Sequence, residues 1–348
     1  MNFLNRLFTS IFHTSPQIRK RFITMIIVLA GFNGIVWVFV LLASRSYPLL
    51  LGLAVLSYGF GLRHAVDADH IAAIDSTTRK LMQDGKRPVA VGFFFSLGHS
   101  VVVIVLSMLV AVSVSFVQHN LPFFKETGSL IGTSVSAVFL LIIGVINLIV
   151  LLEVINTWRK VVNGKKQVHE KKLDEFLDNR GLLTGLLKPL LKLVNNSWNM
   201  FLIGLLFGLG FDTASEIGLL SISAITATKG IPVWYIVLLP LVFTAGMTLV
   251  DTLDGILMLG AYGWAYVKPI RKLYYNMNIT FVSVFIALFI GGIEILQLFI
   301  SKLHLRGNLF SYIKMLDFGN LGYVIIGIFL FSWIFSAVFY KAKGFDRL

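Results

Sequence analysis

The stretch RHAVDADHIAAID at residues 63–75 decides the fold, because it places charge where the neighbouring sequence has almost none. Six of its thirteen residues can ionise, yet it directly follows LLLGLAVLSYGFGL (49–62), which is almost wholly apolar. A helix that crosses a bilayer needs about 20 mostly apolar residues, and a charge at its centre costs about 2.5–3.5 kcal/mol. These charges are therefore expected to serve a function inside a membrane.

Composition places the chain among integral membrane proteins. Of its 348 residues, 57% are hydrophobic and 14% are charged, whereas soluble domains carry about 25% charged residues. The sequence contains no cysteine, which excludes disulfides and thiolate metal sites. The basic residues behind its net charge of +13 lie almost entirely outside the apolar runs, in loops and at the termini. Such charge sets membrane topology and contacts anionic headgroups, so we expect membrane lipid as a partner and no nucleic acid.

Eight apolar runs predict an all-α polytopic membrane protein that forms one transmembrane domain over residues 1–348. The runs lie at 22–43, 48–74, 90–116, 129–152, 199–226, 232–260, 277–300 and 319–340. Of the 30 lysines and arginines, 23 lie at the two termini or in the loops after spans two, four and six. Because positively charged loops remain in the cytoplasm, both termini are predicted to be cytoplasmic.

Two segments lie outside these spans. Residues 1–21 place apolar side chains at helical spacing and end in Arg19-Lys20-Arg21, which predicts an amphipathic helix on the cytoplasmic membrane surface. Residues 153–198 carry nine lysines and arginines and predict a solvated, partly helical cytoplasmic loop.

Short matches between spans indicate an internal repeat. GFGLRHAVD (59–67) matches GLGFDTASE (208–216), and FSLGHSVVV (95–103) matches FTAGMTLVD (243–251). In this alignment Gly61 corresponds to Gly210, and Asp67 corresponds to Glu216. An offset of three helices reverses direction, so spans 1–3 and 4–6 are expected to form an inverted repeat. Transporters with such repeats bind substrate near the bilayer midplane, at the repeat interface.

The charged residues inside the spans predict a metal site. Spans two, five and six contain six carboxylates and a single arginine, and uncompensated buried carboxylates attract a cation or a proton. Imidazole together with carboxylate suits first-row divalent metals, whereas calcium and magnesium prefer oxygen ligands alone. The predicted metal residues are His64, Asp67, Asp69, His70, His99, Asp212, Glu216, Asp251 and Asp254.

Helical spacing favours convergence of this set. At 100° per residue, His64, Asp67 and His70 fall within an arc of about 120° on one helix face. Asp69 points elsewhere unless the helix is broken there, so it is expected to orient a histidine. The remaining acidic pairs are spaced i, i+4 (Asp212 and Glu216) and i, i+3 (Asp251 and Asp254).

Four segments carry a family resemblance that runs in order through the whole chain. They are RHAVDADHI (63–71), FFSLGHSVVV (94–103), LGFDTASE (209–216) and GMTLVDTLD (246–254). At these residues the chain resembles the nickel/cobalt transporter family of single-chain bacterial permeases.

The resemblance implies high-affinity uptake of Ni²⁺, sometimes with Co²⁺, across the bacterial cytoplasmic membrane. It implies that His64, Asp69 and His70 are essential motif residues, with Asp67 beside them. The members of the other motifs would be His99, Asp212, Glu216, Asp251 and Asp254. No enzyme activity and no cofactor are expected, because the metal is cargo.

Two alternatives remain open at the sequence level. The direction of flux is not encoded in the ligands, so a divalent-metal exporter of the same architecture is the first alternative. An intramembrane metalloprotease is the second, since Leu253-Asp254-Gly255 resembles its carboxylate element, but the HExxH motif is absent. The phosphate-binding motif G-x-x-x-x-G-K-[ST] is also absent, so we expect secondary active transport and no ATPase activity in this chain.

Overall fold

The computed structural model describes residues 16–112, 114–162, 194–210, 214–265, 269–316 and 318–342. All regular structure within these ranges is helical. The helices are α1 (Pro16–Ser44), α2 (Leu49–His64), α3 (Ala68–Gln83), α4 (Val91–Val112), α5 (Val114–Val162), α6 (Met200–Phe207), α7 (Ala214–Thr228), α8 (Val233–Ile236), α9 (Leu238–Ala265), α10 (Pro269–Lys302), α11 (Asn308–Lys314) and α12 (Phe318–Ala342), with a 3₁₀ turn at Ser197–Asn199.

Several of these helices expose large apolar side chains. Five helical segments are long and apolar enough to cross a membrane, and a sixth is added if the bent pair α2–α3 counts as one span. Large apolar side chains on them are exposed, for example Ile27 (64%), Phe39 (56%) and Phe281 (60%). Such surfaces are stable only in an apolar surrounding. The fold is therefore that of a multi-pass membrane protein.

The described helices depart from the eight predicted spans at two places. The second predicted span is broken, with a bend of 54° between α2 and α3. In the fifth, α6 ends at Phe207 and α7 begins at Ala214, and each of these two helices is shorter than a span. Hydropathy did not predict the break between α2 and α3. A hydropathy average over a window of residues does not depend on whether the helical backbone hydrogen bonds continue through it.

The segments predicted outside the membrane are only partly described. Residues 16–21 form the first turns of α1 rather than a separate surface helix, and residues 1–15 lie outside the described ranges. Residues 153–162 continue α5, and residues 163–193 of the predicted basic loop are likewise outside those ranges.

Helix α3 forms a polar centre inside an apolar shell. Fourteen of its sixteen residues are buried, among them Asp75, Arg79 and Lys80. It packs against α4, α5, α9, α10 and α12, so neighbours surround it on most sides. Lys80 pairs with Asp84 (3.1 Å) and donates to the carbonyl of Val194 (2.5 Å), which ties the chain after the basic loop to the end of α3.

Glycines let α2 cross α9 at close range. A Cβ added to Gly61 of α2 would overlap the carbonyl oxygen of Phe243. In return, a Cβ on Gly246 of α9 would lie 2.8 Å from the carbonyl oxygen of Tyr58 and 3.1 Å from the amide nitrogen of Leu62. The two backbones are in contact, as small residues permit between membrane helices.

Helices α6 and α4 cross in the same way. A Cβ on Gly204 of α6 would overlap the carbonyl oxygen of Phe95, and one on Gly98 of α4 would meet Phe201 and Leu205. The two residues that face Gly246 lie three residues before and one residue after Gly61 (Tyr58 and Leu62). The two that face Gly98 lie three residues before and one residue after Gly204 (Phe201 and Leu205). The contacts of one crossing are therefore repeated at the other.

Candidate metal centre

The break between α2 and α3 creates the frame of the site. Beyond the end of α2, the amide of Val66 donates to the carbonyl of Arg63 (3.2 Å), and the amide of Asp67 donates to that of His64 (2.9 Å). Asp67 is extended (φ −66°, ψ 147°) and precedes α3, yet its carboxylate makes no capping hydrogen bond. The Asp67 carboxylate is thus available to other partners.

Three buried histidines meet beside this break. His64 ends α2, His70 lies in the first turn of α3, and His99 projects from α4. Their ring centroids are 4.7 Å (His64–His70), 4.7 Å (His64–His99) and 4.9 Å (His70–His99) apart. One nitrogen from each ring can be chosen so that all three lie within 4.8 Å of one another. All three residues are at most 3% exposed.

Glu216 of α7 completes the inner cluster. Its Oε1 lies 2.9 Å from the Nε2 of His99 and 3.8 Å from the Nε2 of His64, and the two Nε2 atoms are 2.9 Å apart. Two ligand atoms that each lie about 2.1 Å from a metal and at a right angle to one another are about 3.0 Å apart. The separations of 2.9 Å therefore suit neighbouring ligands of one small divalent ion.

Two carboxylates contact the Nδ1 atoms of His64 and His70. The Nδ1 of His64 lies 3.2 Å from the Oδ2 of Asp67, and the Nδ1 of His70 lies 3.2 Å from the Oδ2 of Asp251. An ionised carboxylate only accepts hydrogen bonds, so each Nδ1 carries the proton and each Nε2 keeps its lone pair for a metal. The Nε2 of His70 has no hydrogen-bond partner among the described residues.

The carboxylates of Asp67 and Asp251 also accept hydrogen bonds from other side chains. Arg63 donates to the Oδ1 of Asp67 at 2.6 Å, and Ser96 donates to the Oδ2 of Asp251 at 2.6 Å. The hydroxyl of Ser215 lies 3.3 Å from the Nδ1 of His64. Sequence reasoning did not select the two serines. Their signal was position, because each lies within one helical turn of a predicted ligand, Ser96 before His99 and Ser215 beside Glu216.

The remaining predicted residues lie at the edge of this cluster or outside the description. The carboxylate of Asp69 accepts a hydrogen bond from the backbone amide of His70 (2.9 Å) within the first turn of α3. Asp254 is close enough to Asp251 and Asp75 to interact electrostatically, and its Oδ2 has no partner among the described residues. Asp212 lies outside the described ranges.

Fold and cluster together define a multi-pass membrane protein with a buried imidazole–carboxylate site suited to a divalent transition metal. Residues 50–339 match the family model described as "High-affinity nickel-transport protein". This match covers most of the chain, which therefore belongs to that family. The family is one of transporters, not enzymes.

Three relatives illustrate its range. The chain is 50% identical over 330 residues to the high-affinity nickel transport protein of Cupriavidus necator, covering 94% of each chain. It is 46% identical to the nickel-transport protein NixA of Helicobacter pylori strain 26695, over 85% of this chain and 89% of the relative. It is 41% identical to the cobalt transport protein NhlF of Rhodococcus rhodochrous, over 84% of each. No solved structure matches the chain.

Proposed function

We propose that this protein imports Ni²⁺ across the bacterial cytoplasmic membrane through the cluster of His64, His70, His99 and Glu216. The observation that carries the proposal is the meeting of three buried imidazoles within 4.8 Å at a broken membrane helix. Such a set favours a first-row divalent metal over calcium or magnesium. The nickel and cobalt transport proteins among its relatives support the choice of cargo.

The site residues divide into two roles in this proposal. Ni²⁺ exchanges its waters for the Nε2 atoms of His64, His70 and His99 and for Glu216. Asp67 and Asp251 keep the imidazoles in the metal-binding tautomer, and their loss is expected to weaken binding without removing a ligand. Asp69, Asp212 and Asp254 are proposed to line the path by which the ion enters or leaves.

Transport is proposed to be secondary and inward. The sequence contains no phosphate-binding loop. An inside-negative potential favours entry of a divalent ion by about 4.6 kcal/mol per 100 mV, twice the value for one charge. The distribution of lysine and arginine supports cytoplasmic termini.

The proposed architecture is eight spans in one domain, with spans 1–3 and 4–6 as an inverted repeat. The repeated crossing contacts at Gly61 and Gly204 support it, since a two-fold axis in the membrane plane would exchange the α2–α9 crossing with the α6–α4 crossing. The metal cluster would then lie where the two halves meet, because α2, α4 and α7 all contribute to it.

Uptake of radioactive nickel tests the proposed function. We expect His64→Ala and His99→Asn to abolish uptake at limiting nickel, at equal amounts of protein in the membrane. His304→Asn is the matched control, because His304 is exposed and its positive φ of 50° is one that asparagine tolerates. Undiminished uptake by both cluster variants would contradict the proposal. Lower cellular nickel in cells with the intact gene would instead indicate export.

A further inference from the structure

Helix α12 touches the break between α2 and α3, although it carries none of the charged motifs. A Cβ added to Gly322 would overlap the carbonyl oxygen of Val66, and it would lie 2.8 Å from the carbonyl carbon of Val66 and 3.4 Å from the amide nitrogen of Ala68. The backbone of α12 therefore rests directly on the break. No larger residue fits at position 322 unless the break or the helix moves.

The neighbouring residue of α12 is linked to the metal cluster through charges. The guanidinium carbon of Arg63 lies 5.6 Å from the ring centroid of Tyr323, within the range of a cation–π contact. Arg63 also donates to Asp67 at 2.6 Å, and Asp67 lies 3.2 Å from the Nδ1 of His64. A continuous series of contacts thus runs from the exposed face of α12 to a metal-binding imidazole.

Apolar packing joins α12 to the start of α3 as well. Ile325 and Phe329 are buried in the same cluster as Ala68 and Ile71, on either side of His70 in the sequence. The turn that carries His70 is therefore supported by α12.

The break needs such support because its own backbone bonding is weak. The amides of Val66 and Asp67 bond three residues back rather than four, so the regular ladder of α2 stops there. Inside a membrane, a segment without that ladder keeps one conformation only when neighbouring protein packs against it. Helix α12 packs against it through Gly322 and Tyr323.

We infer that Gly322 and Tyr323 are positioning residues that set the metal affinity of the site by fixing the break between His64 and His70. They act through Val66, Arg63 and Asp67 and touch no metal themselves. The inference rests on the proposed function of the cluster. It gives α12, which lies outside the proposed repeat, a part in transport.

The test compares two glycines of one helix. Gly322→Ala places a methyl group on the carbonyl of Val66, whereas Gly327→Ala meets no atom within 4 Å. We expect Gly322→Ala to raise the half-saturating nickel concentration for uptake about 10- to 100-fold, the usual effect of disturbing residues behind metal ligands. Gly327→Ala should leave it unchanged.

A second pair of variants tests the ring contact without disturbing the helix crossing. Tyr323→Phe keeps an aromatic face for Arg63, and we expect it to transport with the native half-saturating concentration. Tyr323→Leu removes that face and should raise the concentration. A merely structural role would instead lower the maximal rate in proportion to the amount of folded protein, with the half-saturating concentration unmoved.

The outcomes separate this inference from the proposed function. If His64→Ala abolishes uptake while both α12 pairs show the native half-saturating concentration, the positioning role is wrong and the metal site stands. If Gly322→Ala does not reach the membrane, the Tyr323 pair decides the question alone. If His64→Ala transports nickel normally, the result contradicts both the proposed function and this inference.

Discussion

At the scale of single residues, the break between α2 and α3 is what brings His64 and His70 together. Six residues of unbroken helix advance about 9 Å along the axis, yet these two rings lie 4.7 Å apart. The shared helix face predicted from their spacing would not have been sufficient. The bend of 54° shortens the distance, and Asp67 occupies the bend, where its carboxylate can reach both Arg63 and His64.

Asp251 offers a test of how the imidazoles are oriented. Asp251→Asn removes the charge that favours a protonated Nδ1 on His70, so we expect the half-saturating nickel concentration to rise about 10- to 100-fold. Glu294→Gln is the matched control, because Glu294 is also buried (3% exposed) but accepts from Ser136 between α5 and α10. Equal effects of the two substitutions on nickel affinity would contradict the orienting role.

At the scale of helices, contact between backbones decides where α2 and α9 cross. Alanine is favoured over glycine within a helix by about 1 kcal/mol, but overpacking a close contact costs about 1–3 kcal/mol. At Gly61 the added methyl group would overlap Phe243, so we expect the overpacking cost to exceed the gain in helix propensity and alanine to destabilise the protein. At Gly59 an added methyl group would meet open space, so we expect the gain in helix propensity to make alanine neutral or stabilising.

Thermal unfolding of the purified protein in detergent distinguishes these two glycines. We expect a lower midpoint for Gly61→Ala than for the native chain, and an equal or higher midpoint for Gly59→Ala. A Gly61→Ala protein as stable as Gly59→Ala would mean that the two helices do not touch at this point.

At the scale of the whole molecule, the sequence predicted the class of protein, and six of its nine predicted metal residues contact one another in the structure (His64, Asp67, His70, His99, Glu216 and Asp251), but the sequence did not predict how the helices pack. Composition and the buried charges were sufficient for a membrane protein with an imidazole–carboxylate site, because hydropathy and burial of charge follow from residue type. The 65–67 break and the contacts of α12 have no such signal. Gly322 and Ile325 lie in an apolar run that does not distinguish them from the residues around them. Their packing against the α2–α3 break and the start of α3 is visible only in the folded structure.

The internal repeat shows the same limit. The sequence match pairs Gly61 with Gly210, whereas the helix crossings pair Gly61 with Gly204. The two pairings differ by six positions. The segment GFGLRHAVD lies mostly within α2, whereas GLGFDTASE begins after α6 has ended at Phe207. The sequence match therefore aligns residues inside one helix with residues beyond the end of its counterpart.

Orientation in the membrane can be tested with single cysteines, because the native chain has none. We expect a membrane-impermeant thiol reagent to label Ser46→Cys and Lys229→Cys in intact cells, since both positions are exposed and lie on the predicted outer side. Asn195→Cys should be labelled only after permeabilisation. The reverse pattern would place the termini outside the cytoplasm.

The coordination of nickel itself tests the central claim most directly. X-ray absorption at the nickel edge, measured on purified protein holding one equivalent of Ni²⁺, should show scattering from three imidazoles, those of His64, His70 and His99. The imidazole contribution should decrease by one ligand in His99→Asn and remain unchanged in His304→Asn. A nickel shell made only of oxygen, or a histidine signal equal in native protein, His64→Ala and His99→Asn, would contradict the account.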